Sequence, residues 1–373
     1  MNNSKSRDRI KTFLIGLCLI AGACSFLVLL LRSAPVRTRI ADYLSFNAFY
    51  SPTHHKKYFL DGNKLLSHAF FGQSPRAPEE PIIVLPNAPA PEHSHSNDKL
   101  SPEWSIPEYP PDKINAENIY PIISCDISTH NPLLINNSTS KKPDPEQLLM
   151  SVYNFGYCPE SSDPLVLVIH THATECYSRE ASTYFEEDSK TRTVDEKYNM
   201  IAVGKVFSEE LEKNGIPTLH CTVMHDAESY SDSYSLAASS IREYLKKYPS
   251  IKYVFDLHRD AIVYESGAKA RPVSTIDGKE AAQIMFVAGT DAGGADFPHW
   301  QKNLTFTLKL TEKLSEKYPS LVRATALRGA SYNQQYTEGS VLVEIGSDGN
   351  TLSQAKYSAE LLANTFAELI KGE

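Results

Sequence analysis

Downstream of Pro164, short apolar runs alternate with amphipathic segments, and this alternation limits how the chain can fold more than any other feature. Runs of β-branched and aliphatic residues predict buried strands, and apolar residues spaced three and four apart predict helices. Strands that alternate with helices form an α/β domain around a mostly parallel sheet. We therefore expect one α/β domain over residues 151–373, with a mixed, mostly parallel sheet flanked by helices.

The predicted elements follow this alternation along the chain. Strands are predicted at 165–169, 216–221, 251–257, 283–288, 321–327 and 341–345. Helices are predicted at 199–213, 232–247, 304–317 and 352–370, with a short one at 147–150. Pro249 ends the second long helix, because proline cannot continue one.

The N-terminal segment predicts a membrane anchor. Residues 1–11 carry four basic side chains, and the uncharged apolar run over 13–31 is long enough to span a bilayer as a helix. Positive charge ahead of a span favours a cytoplasmic N-terminus. We expect cytoplasmic residues 1–11, a single transmembrane helix at 12–32 and an extracytoplasmic remainder.

The region between the anchor and the α/β domain differs in composition. Residues 33–75 are mixed and suggest no function, and nine prolines lie between positions 78 and 111. Proline disfavours both helix and sheet ladders. We predict a juxtamembrane region at 33–75 and a Pro-rich, largely disordered linker at 76–150, which would hold the domain away from the membrane.

Charge and cysteine content exclude some classes of protein. The net charge of −8 argues against nucleic-acid binding, which needs a basic surface. The six cysteines show no zinc-ribbon spacing. The four outside the span could form disulfides in an oxidising compartment, but a large core does not need them.

Polar side chains that could bind a metal follow two of the predicted strands. His172 and Glu175 come directly after the strand at 165–169, and His258 follows the strand at 251–257. Strand ends in an open α/β sheet are where ligands bind. Zinc accepts two imidazoles and a carboxylate, with a further position for water. The sequence therefore predicts a zinc site at this edge of the sheet.

A third strand carries a carboxylate inside its apolar run. Glu344 lies in the strand at 341–345, where an isolated charge is costly to bury. A carboxylate beside a zinc-activated water can accept its proton and pass it to a leaving amine. We therefore predict that Glu344 is the catalytic residue of a metal-dependent hydrolase.

On the residues alone, the carboxylate ligand stays open. Glu175 is close to His172 in sequence, whereas Glu196 begins the first long helix, whose first turn can pack beside a strand end. Glu196 could equally supply ordinary negative charge at a helix N-terminus. Strand alternation predicts that His170 shares a face with His172, where it would support a ligand or face the substrate.

Charged residues also flank His258. Asp256 or Asp260 could accept the other ring N–H of His258 and so fix its tautomer. Arg259 could bind a substrate carboxylate through two hydrogen bonds. It could equally belong to an ion-pair cluster of no catalytic importance.

Five motifs, taken together, resemble the stage II sporulation protein P family. The match covers about residues 150–373, and the predicted anchor and linker agree with it. The motifs are His170-Thr171-His172-Ala173-Thr174-Glu175, Glu196-Lys197-Tyr198-Asn199, Asp256-Leu257-His258-Arg259-Asp260-Ala261, Tyr332-Asn333-Gln334-Gln335 and Glu344-Ile345-Gly346.

This resemblance implies a membrane-anchored peptidoglycan hydrolase similar to zinc-dependent N-acetylmuramoyl-L-alanine amidases. The bond cleaved would be the amide between N-acetylmuramic acid and L-alanine. The implied setting is septal wall thinning and engulfment during sporulation, with the protein in the mother-cell membrane at the septum. The implied partners are peptidoglycan and stage II sporulation proteins D and M.

The resemblance also implies roles for particular residues. In the wider amidase group the zinc ligands are His, Glu and His, and a Glu on the last strand is the catalyst. Carried over, this implies His172, Glu196 and His258 as zinc ligands and Glu344 as the catalytic residue, with Glu175 as the alternate ligand. Asn333 and Gln334 become candidates for supporting a ligand or contacting the substrate.

Two other functions stay open at this point. The first is a zinc peptidase that cuts stem peptides or cross-links, with Arg259 binding a stem-peptide carboxylate. The second is a non-catalytic, membrane-tethered scaffold that binds the wall. The scaffold predicts no bound zinc and unchanged function after Glu344→Ala.

Overall fold

The computed structural model describes residues 83–85, 118–158, 160–180, 182–187 and 189–373. The predicted cytoplasmic N-terminus, transmembrane helix and juxtamembrane region lie outside these residues. None of the helices within the described ranges has the length and apolar character needed to cross a membrane. The described residues all belong to one unit of the chain, 75–373.

The described elements are numbered in chain order. Strands β1 to β13 are Ile83–Leu85, Ile119–Cys125, Ile135–Asn137, Val166–Ile169, Tyr184–Glu186, Thr218–His220, Tyr253–Asp260, Ile262–Tyr264, Lys269–Ile276, Lys279–Ala282, Ile284–Ala288, Thr325–Leu327 and Gly339–Ser347. Helices α1 to α5 are Pro145–Met150, Met200–Lys213, Ser233–Lys247, Trp300–Lys317 and Leu352–Lys371. Short 3₁₀ turns lie at Tyr230–Asp232 and Gln334–Tyr336.

The described strands form two sheets, and the larger has seven strands in the order β3-β12-β11-β13-β7-β4-β6. Its neighbouring strands are parallel except for β11 and β13, which are antiparallel. Five helices accompany the strands in the described part of the chain. The prediction of a mixed, mostly parallel sheet flanked by helices is confirmed.

The order of the central strands creates a switch point between β4 and β7. From β4 the chain runs through α2 to β6 on one side, then through α3 to β7 on the other side of β4. Helices that cross in opposite directions leave a crevice at the carboxyl ends of the two strands. His172 and His258 lie at these ends, so the topology alone brings them together.

Strand alternation decides which helices cover each face of the sheet. Val166 and Val168 of β4 join the main core with α2, α4 and α5, where Phe207, Phe306 and Phe366 are fully buried. Leu167 and Ile169 point to the opposite face and pack with Ala237 and Ile241 of α3.

A second, six-stranded sheet has the order β1-β8-β9-β2-β5, with β10 paired to β9. Strand β2 runs parallel to β9 and antiparallel to β5. The prediction of a disordered linker extending to residue 150 is therefore wrong for residues 118–150, which contribute β2, β3 and α1. Within the described residues, regular structure is therefore present well before residue 151, since β2 pairs with both β5 and β9.

Helix α2 approaches the sheet closely at Gly204. A Cβ at this position would lie 2.4 Å from Nε2 of His170, so only glycine fits. His170 is fully buried there, with its Nε2 2.8 Å from Nε2 of His220 and its Nδ1 3.0 Å from the Leu257 carbonyl oxygen. Burial lowers the pKa of His220 to about 4.

This shift predicts that the protein loses stability as the pH falls from about 6.5 to about 4. The unfolded chain protonates His220 near pH 6.5, whereas the folded protein does not until about pH 4. The unfolded state therefore binds more protons across this window, and folding becomes less favourable by up to about 3 kcal/mol. Urea unfolding at pH 7.0 and 4.5 measures the loss.

His220→Gln is the matched variant, because glutamine keeps a polar group beside His170 and does not titrate. Its free energy of unfolding should fall less between the two pH values than that of the wild type. Equal losses in both proteins would contradict the assignment to His220.

Candidate metal centre

Two buried imidazoles meet at the switch point of the large sheet. His172 follows β4 in a turn over residues 171–174, and His258 lies near the end of β7. Both side chains are fully buried. Their ring centroids are 5.3 Å apart and the ring planes are perpendicular. Two nitrogen donors are thus directed to one small region of the structure.

His258 is held in a single orientation by Asp256, two residues earlier on β7. Nε2 of His258 lies 2.9 Å from Oδ1 of Asp256, so Nε2 donates and the neutral ring carries its lone pair on Nδ1. Asp256 also accepts hydrogen bonds from the backbone N–H and the hydroxyl of Thr171. Burial alone would raise the pKa of Asp256, but His258 and Thr171 together lower it below its usual value.

Glu175 lies on the Nδ1 side of His258. Its Oε2 is 3.8 Å from Nδ1 of His258 and accepts the backbone N–H of Arg259 at 3.2 Å. Its Oε1 is 3.3 Å from a guanidinium nitrogen of Arg192. The residue is 2% exposed. Glu175 therefore presents a buried carboxylate directly beside one of the two imidazoles.

Asp226 takes a similar position behind His172. Its Oδ2 lies 3.9 Å from Nδ1 of His172 and accepts hydrogen bonds from Arg192 and from the Thr174 hydroxyl, each at 2.6 Å. Its Oδ1 accepts the backbone N–H of Thr174. Arg192 thus connects Glu175 with Asp226, and the two acids face the two imidazoles.

Glu344 lies on β13, which runs parallel to β7. Its Cα is in register with that of His258, so both side chains project from the same face of the sheet. It is 4% exposed. The ladder is irregular between Glu344 and Ser347, where Gly346 adopts a φ of +67°. Such irregularities are common beside active sites, where they re-aim side chains.

Tyrosine rings pack around His172. Tyr230 stacks on the imidazole with centroids 4.3 Å apart and planes 12° from parallel. Tyr234 lies edge-on at 5.5 Å. The guanidinium of Arg192 is 4.5 Å from the centroid of the Tyr230 ring. These contacts restrict how the His172 ring can rotate.

The donor set fits a zinc ion. Two imidazoles and one carboxylate are ligands that zinc prefers, and they leave a position for water. Two ligand atoms of a tetrahedral zinc are roughly 3.4 Å apart, given bonds of about 2.1 Å, and the His258–Glu175 pair is separated by 3.8 Å. Within the described residues, no three His, Cys, Asp or Glu side chains already form a complete metal-binding group.

The two candidate carboxylate ligands differ sharply in their surroundings. Glu196 is exposed in the turn that precedes α2, where Asn199 caps the helix through its side chain. Glu175 is buried against His258. The assignment of Glu196 stays a prediction, and the placement of the two side chains favours Glu175.

The prediction that His170 shares a face with His172 is wrong. Strand β4 ends at Ile169, so alternation leaves His170 under α2 while the following turn carries His172 to the other side. His170 therefore lies under α2, on the other side of the sheet from the His172 ring. Its contacts with His220 and the Leu257 carbonyl give it a packing role.

Arg259 and Asp260 also lie away from any substrate. The Arg259 side chain donates to the carbonyl oxygens of Cys176, Asp260 and Thr191, and the residue is 5% exposed. The Arg259 guanidinium is therefore occupied by backbone carbonyl oxygens and not directed at a substrate carboxylate, so the peptidase interpretation loses this support but stays open. Asp260 pairs with the guanidinium of Arg323 at 2.8 Å. Asp256, and not Asp260, orients His258.

Asn333 and Gln334 hold a loop in place. The Asn333 amide donates to the Tyr234 carbonyl oxygen, and Gln334 bridges the backbone of Val287 and Gly289. Gln334 is buried and does not reach a substrate. Asn333 supports the site indirectly, since it fixes the helix start that carries Tyr234.

Asp226 and Arg192 belong to the site but were not predicted from the sequence. Asp226 could have been found, because His225-Asp226 closely follows the predicted strand at 216–221 and so marks a further strand end. Arg192 lies in an irregular segment without periodicity, and no sequence signal distinguished it from other exposed basic residues.

Comparison with known families gives a match that covers most of the chain. The family model described as "Stage II sporulation protein P (SpoIIP)" matches residues 114–367. Its start lies close to β2 and supports the earlier domain boundary. Stage II sporulation protein P of Bacillus subtilis (strain 168) is 27% identical over 216 residues, which is 55% of this chain and 51% of that protein. The chain thus spans about half the length of this curated relative.

Solved structures show weaker likeness. N-acetylmuramoyl-L-alanine amidase AmiC2 of Nostoc punctiforme is 11% identical with a TM-score of 0.32, and the match covers 56% of this chain and 96% of that one. The CwlD amidase from Clostridioides difficile, solved in complex with the GerS lipoprotein, is 12% identical with a TM-score of 0.35 and coverages of 56% and 97%. TM-scores below 0.5 do not establish a shared fold.

Arg192→Leu should lower the free energy of unfolding by about 2 kcal/mol. The change leaves Asp226, whose side chain is fully buried, without its guanidinium partner. Removing one partner of a buried ion pair costs about 3–5 kcal/mol, and we expect less because the Arg192 side chain is 36% exposed. Denaturant unfolding in the presence of a chelator measures the loss without metal.

Arg179→Leu is the control, since Arg179 is exposed and surface changes usually stay within about 0.5 kcal/mol. If Arg192→Leu and Arg179→Leu unfold at the same denaturant concentration, the bridge does not stabilise the fold.

Proposed function

Because the chain belongs to the stage II sporulation protein P family, we propose that it is a zinc-dependent peptidoglycan hydrolase that acts in sporulation. The bond we assign to it is the amide between N-acetylmuramic acid and L-alanine. One observation carries the proposal: two perpendicular imidazoles, a buried glutamate and a second glutamate in strand register meet at the switch point of an α/β sheet.

The ligand set we propose is His172, His258 and Glu175. Each member is buried, and each has a neighbour that restricts its orientation: Tyr230 for His172, Asp256 for His258 and Arg192 for Glu175. Ligands held in this way lose little freedom when a metal binds. Glu175 takes the place that the family resemblance gave to Glu196, since Glu196 is exposed.

When bound, zinc would act as a Lewis acid that polarises the scissile carbonyl and acidifies a water molecule. The task of Glu344 is proton transfer: its carboxylate accepts the proton of the attacking water and then delivers it to the departing alanine nitrogen. Its position suits this task, because Glu344 is buried and its Cα is in register with that of His258 on the neighbouring strand.

The remaining residues hold this arrangement in place. Asp256 keeps the lone pair of His258 on Nδ1, and Arg192 directs one oxygen of Glu175 towards His258 by engaging the other. Tyr230 covers one face of the His172 ring. None of these residues needs to take part in the bond rearrangement.

The cellular setting is also part of the proposal. We place the protein in the mother-cell membrane at the sporulation septum, anchored by residues 12–32 with the hydrolase outside. Its substrate would be septal peptidoglycan during engulfment, and its partners would be stage II sporulation proteins D and M. This setting rests on the family resemblance and on the N-terminal charge pattern.

Replacing the two candidate carboxylates separately distinguishes the ligand. We expect Glu175→Gln to weaken zinc binding roughly 100-fold or more, beyond the roughly 10- to 100-fold cost of losing a supporting hydrogen bond. Glu196→Gln should bind zinc like the wild type, because its side chain is exposed. Competition with a chromophoric chelator on the full chain measures both affinities. Loss of zinc from Glu196→Gln alone would reverse the assignment.

Glu344→Gln separates proton transfer from metal binding. We expect this variant to retain zinc and to lose roughly 100- to 10,000-fold in hydrolysis rate, the usual contribution of a general base. The substrate is purified peptidoglycan, and the measured product is stem peptide with a free L-alanine amino terminus.

Two results would contradict the proposal. Hydrolysis at the wild-type rate by Glu344→Gln would remove the catalytic role of this glutamate. Cleaved cross-links with peptides still attached to the glycan would show a peptidase instead of an amidase.

A further inference from the structure

Two consecutive residues of the loop before β13 have backbone conformations that bulky side chains rarely adopt. Tyr332 has a φ of +48° and Asn333 a φ of +58°. Asparagine tolerates this left-handed region, but for tyrosine it is an outlier with an energetic cost. Such strain persists only where the surrounding structure enforces it, and it is concentrated at functional sites.

The surroundings of this loop do enforce it. Gln334 is hydrogen-bonded to the backbone of Val287 and Gly289, and Asn333 to that of Tyr234. The amide of Asn303 donates to the carbonyl oxygens of Gln334, Thr337 and Ser340. A Cβ on Gly289 would lie 2.5 Å from the Ala330 carbonyl oxygen, so the loop is packed tightly against the end of β11.

The strained loop places the Tyr332 ring at the edge of the candidate metal centre. The ring lies 5.9 Å from that of Tyr234, which in turn lies 5.5 Å from His172. It also packs against the apolar cluster that contains Met285 and Leu342. Met285 is the cross-strand partner of Glu344, and Leu342 precedes Glu344 by two residues on the same face. Tyr332 therefore lies beside both halves of the site, and it is partly exposed.

The rings of Tyr332 and Tyr234 contact each other at this edge, and aromatic rings of this kind can pack on the apolar face of a sugar.

We propose that Tyr332 is a substrate-contacting residue that binds a glycan ring of peptidoglycan next to the scissile amide, and that backbone strain is tolerated to hold it there. The ring face of Tyr332 contacts the apolar face of the sugar, and the loop anchors keep the ring from turning away. This role rests on the proposed function for its substrate, but glycan binding itself requires neither metal nor hydrolysis.

The test measures binding of peptide-free glycan strands to the full chain without metal. Tyr332→Ala and Tyr332→Gly should each weaken glycan affinity roughly three- to tenfold, the value of one aromatic contact, and Tyr332→Phe should stay within about twofold. In hydrolysis of intact peptidoglycan, the first two variants should raise KM and leave kcat nearly unchanged. Binding of free stem peptide should not change in any variant.

The pair Tyr332→Ala and Tyr332→Gly also tests the strain. Glycine accepts a positive φ without cost, so Tyr332→Gly should be at least as stable to denaturant as Tyr332→Ala. If Tyr332→Ala were instead the more stable variant, as is usual where φ is negative, the backbone at Tyr332 would not be strained. That result would overturn the proposal.

The outcomes separate this inference from the proposed function. The role of Tyr332 would be overturned if Tyr332→Ala and Tyr332→Gly bound glycan as tightly as the wild type. It would also be overturned if these variants lost affinity for stem peptide instead of glycan. Absence of glycan binding in a wild-type protein that hydrolyses peptidoglycan would also overturn it, while leaving the amidase proposal intact. Binding of glycan through Tyr332 by a wild-type protein without hydrolysis would support this role and refute the amidase proposal.

Discussion

The neutralisation of buried carboxylates governs the structure around the two imidazoles. Among the described residues, Glu175, Asp226, Asp256 and Glu344 are each less than a tenth exposed in this region. A buried charge without compensation is among the most costly features a fold can contain. Asp256 is offset by Thr171 and His258, and Asp226 by Thr174 and Arg192. A divalent cation would add the positive charge that such a concentration of acids favours.

The sheet topology explains why residues so distant in sequence share this environment. Strands β4 and β7 are adjacent and parallel, and β13 lies on the other side of β7. Because the helices that follow β4 and precede β7 cover opposite faces, the carboxyl ends of the two strands lie together at the switch point. Hydrogen-bond register places Glu344 beside His258, and the turn after β4 brings His172 to the same end of the sheet. The hydrophobic cores on both faces keep that register from slipping.

Much of this arrangement could be predicted from the sequence, because strand-end positions are local. The apolar runs that end at His172 and His258 and the one that contains Glu344 were recognisable, as were the long helices. The face of the sheet on which the His170 side chain lies could not be predicted, since it depends on β4 ending at Ile169. The second sheet escaped prediction because four of its strands have only three or four residues, and the two longer ones, β2 and β9, contain Pro121 and Pro272. Arg192 belongs to the site only through tertiary contacts, which no local pattern encodes.

The early strands have a consequence for how this protein can be divided. Strand β2 covers one side of β9, and β3 covers the outer side of β12 at the margin of the large sheet. A polypeptide begun at residue 151 would lack both, so the backbone groups of β9 and β12 that β2 and β3 now pair would be left open. Uncovered sheet margins pair readily with other chains. A shortened form of that kind would self-associate, even though every residue of the imidazole site would still be present.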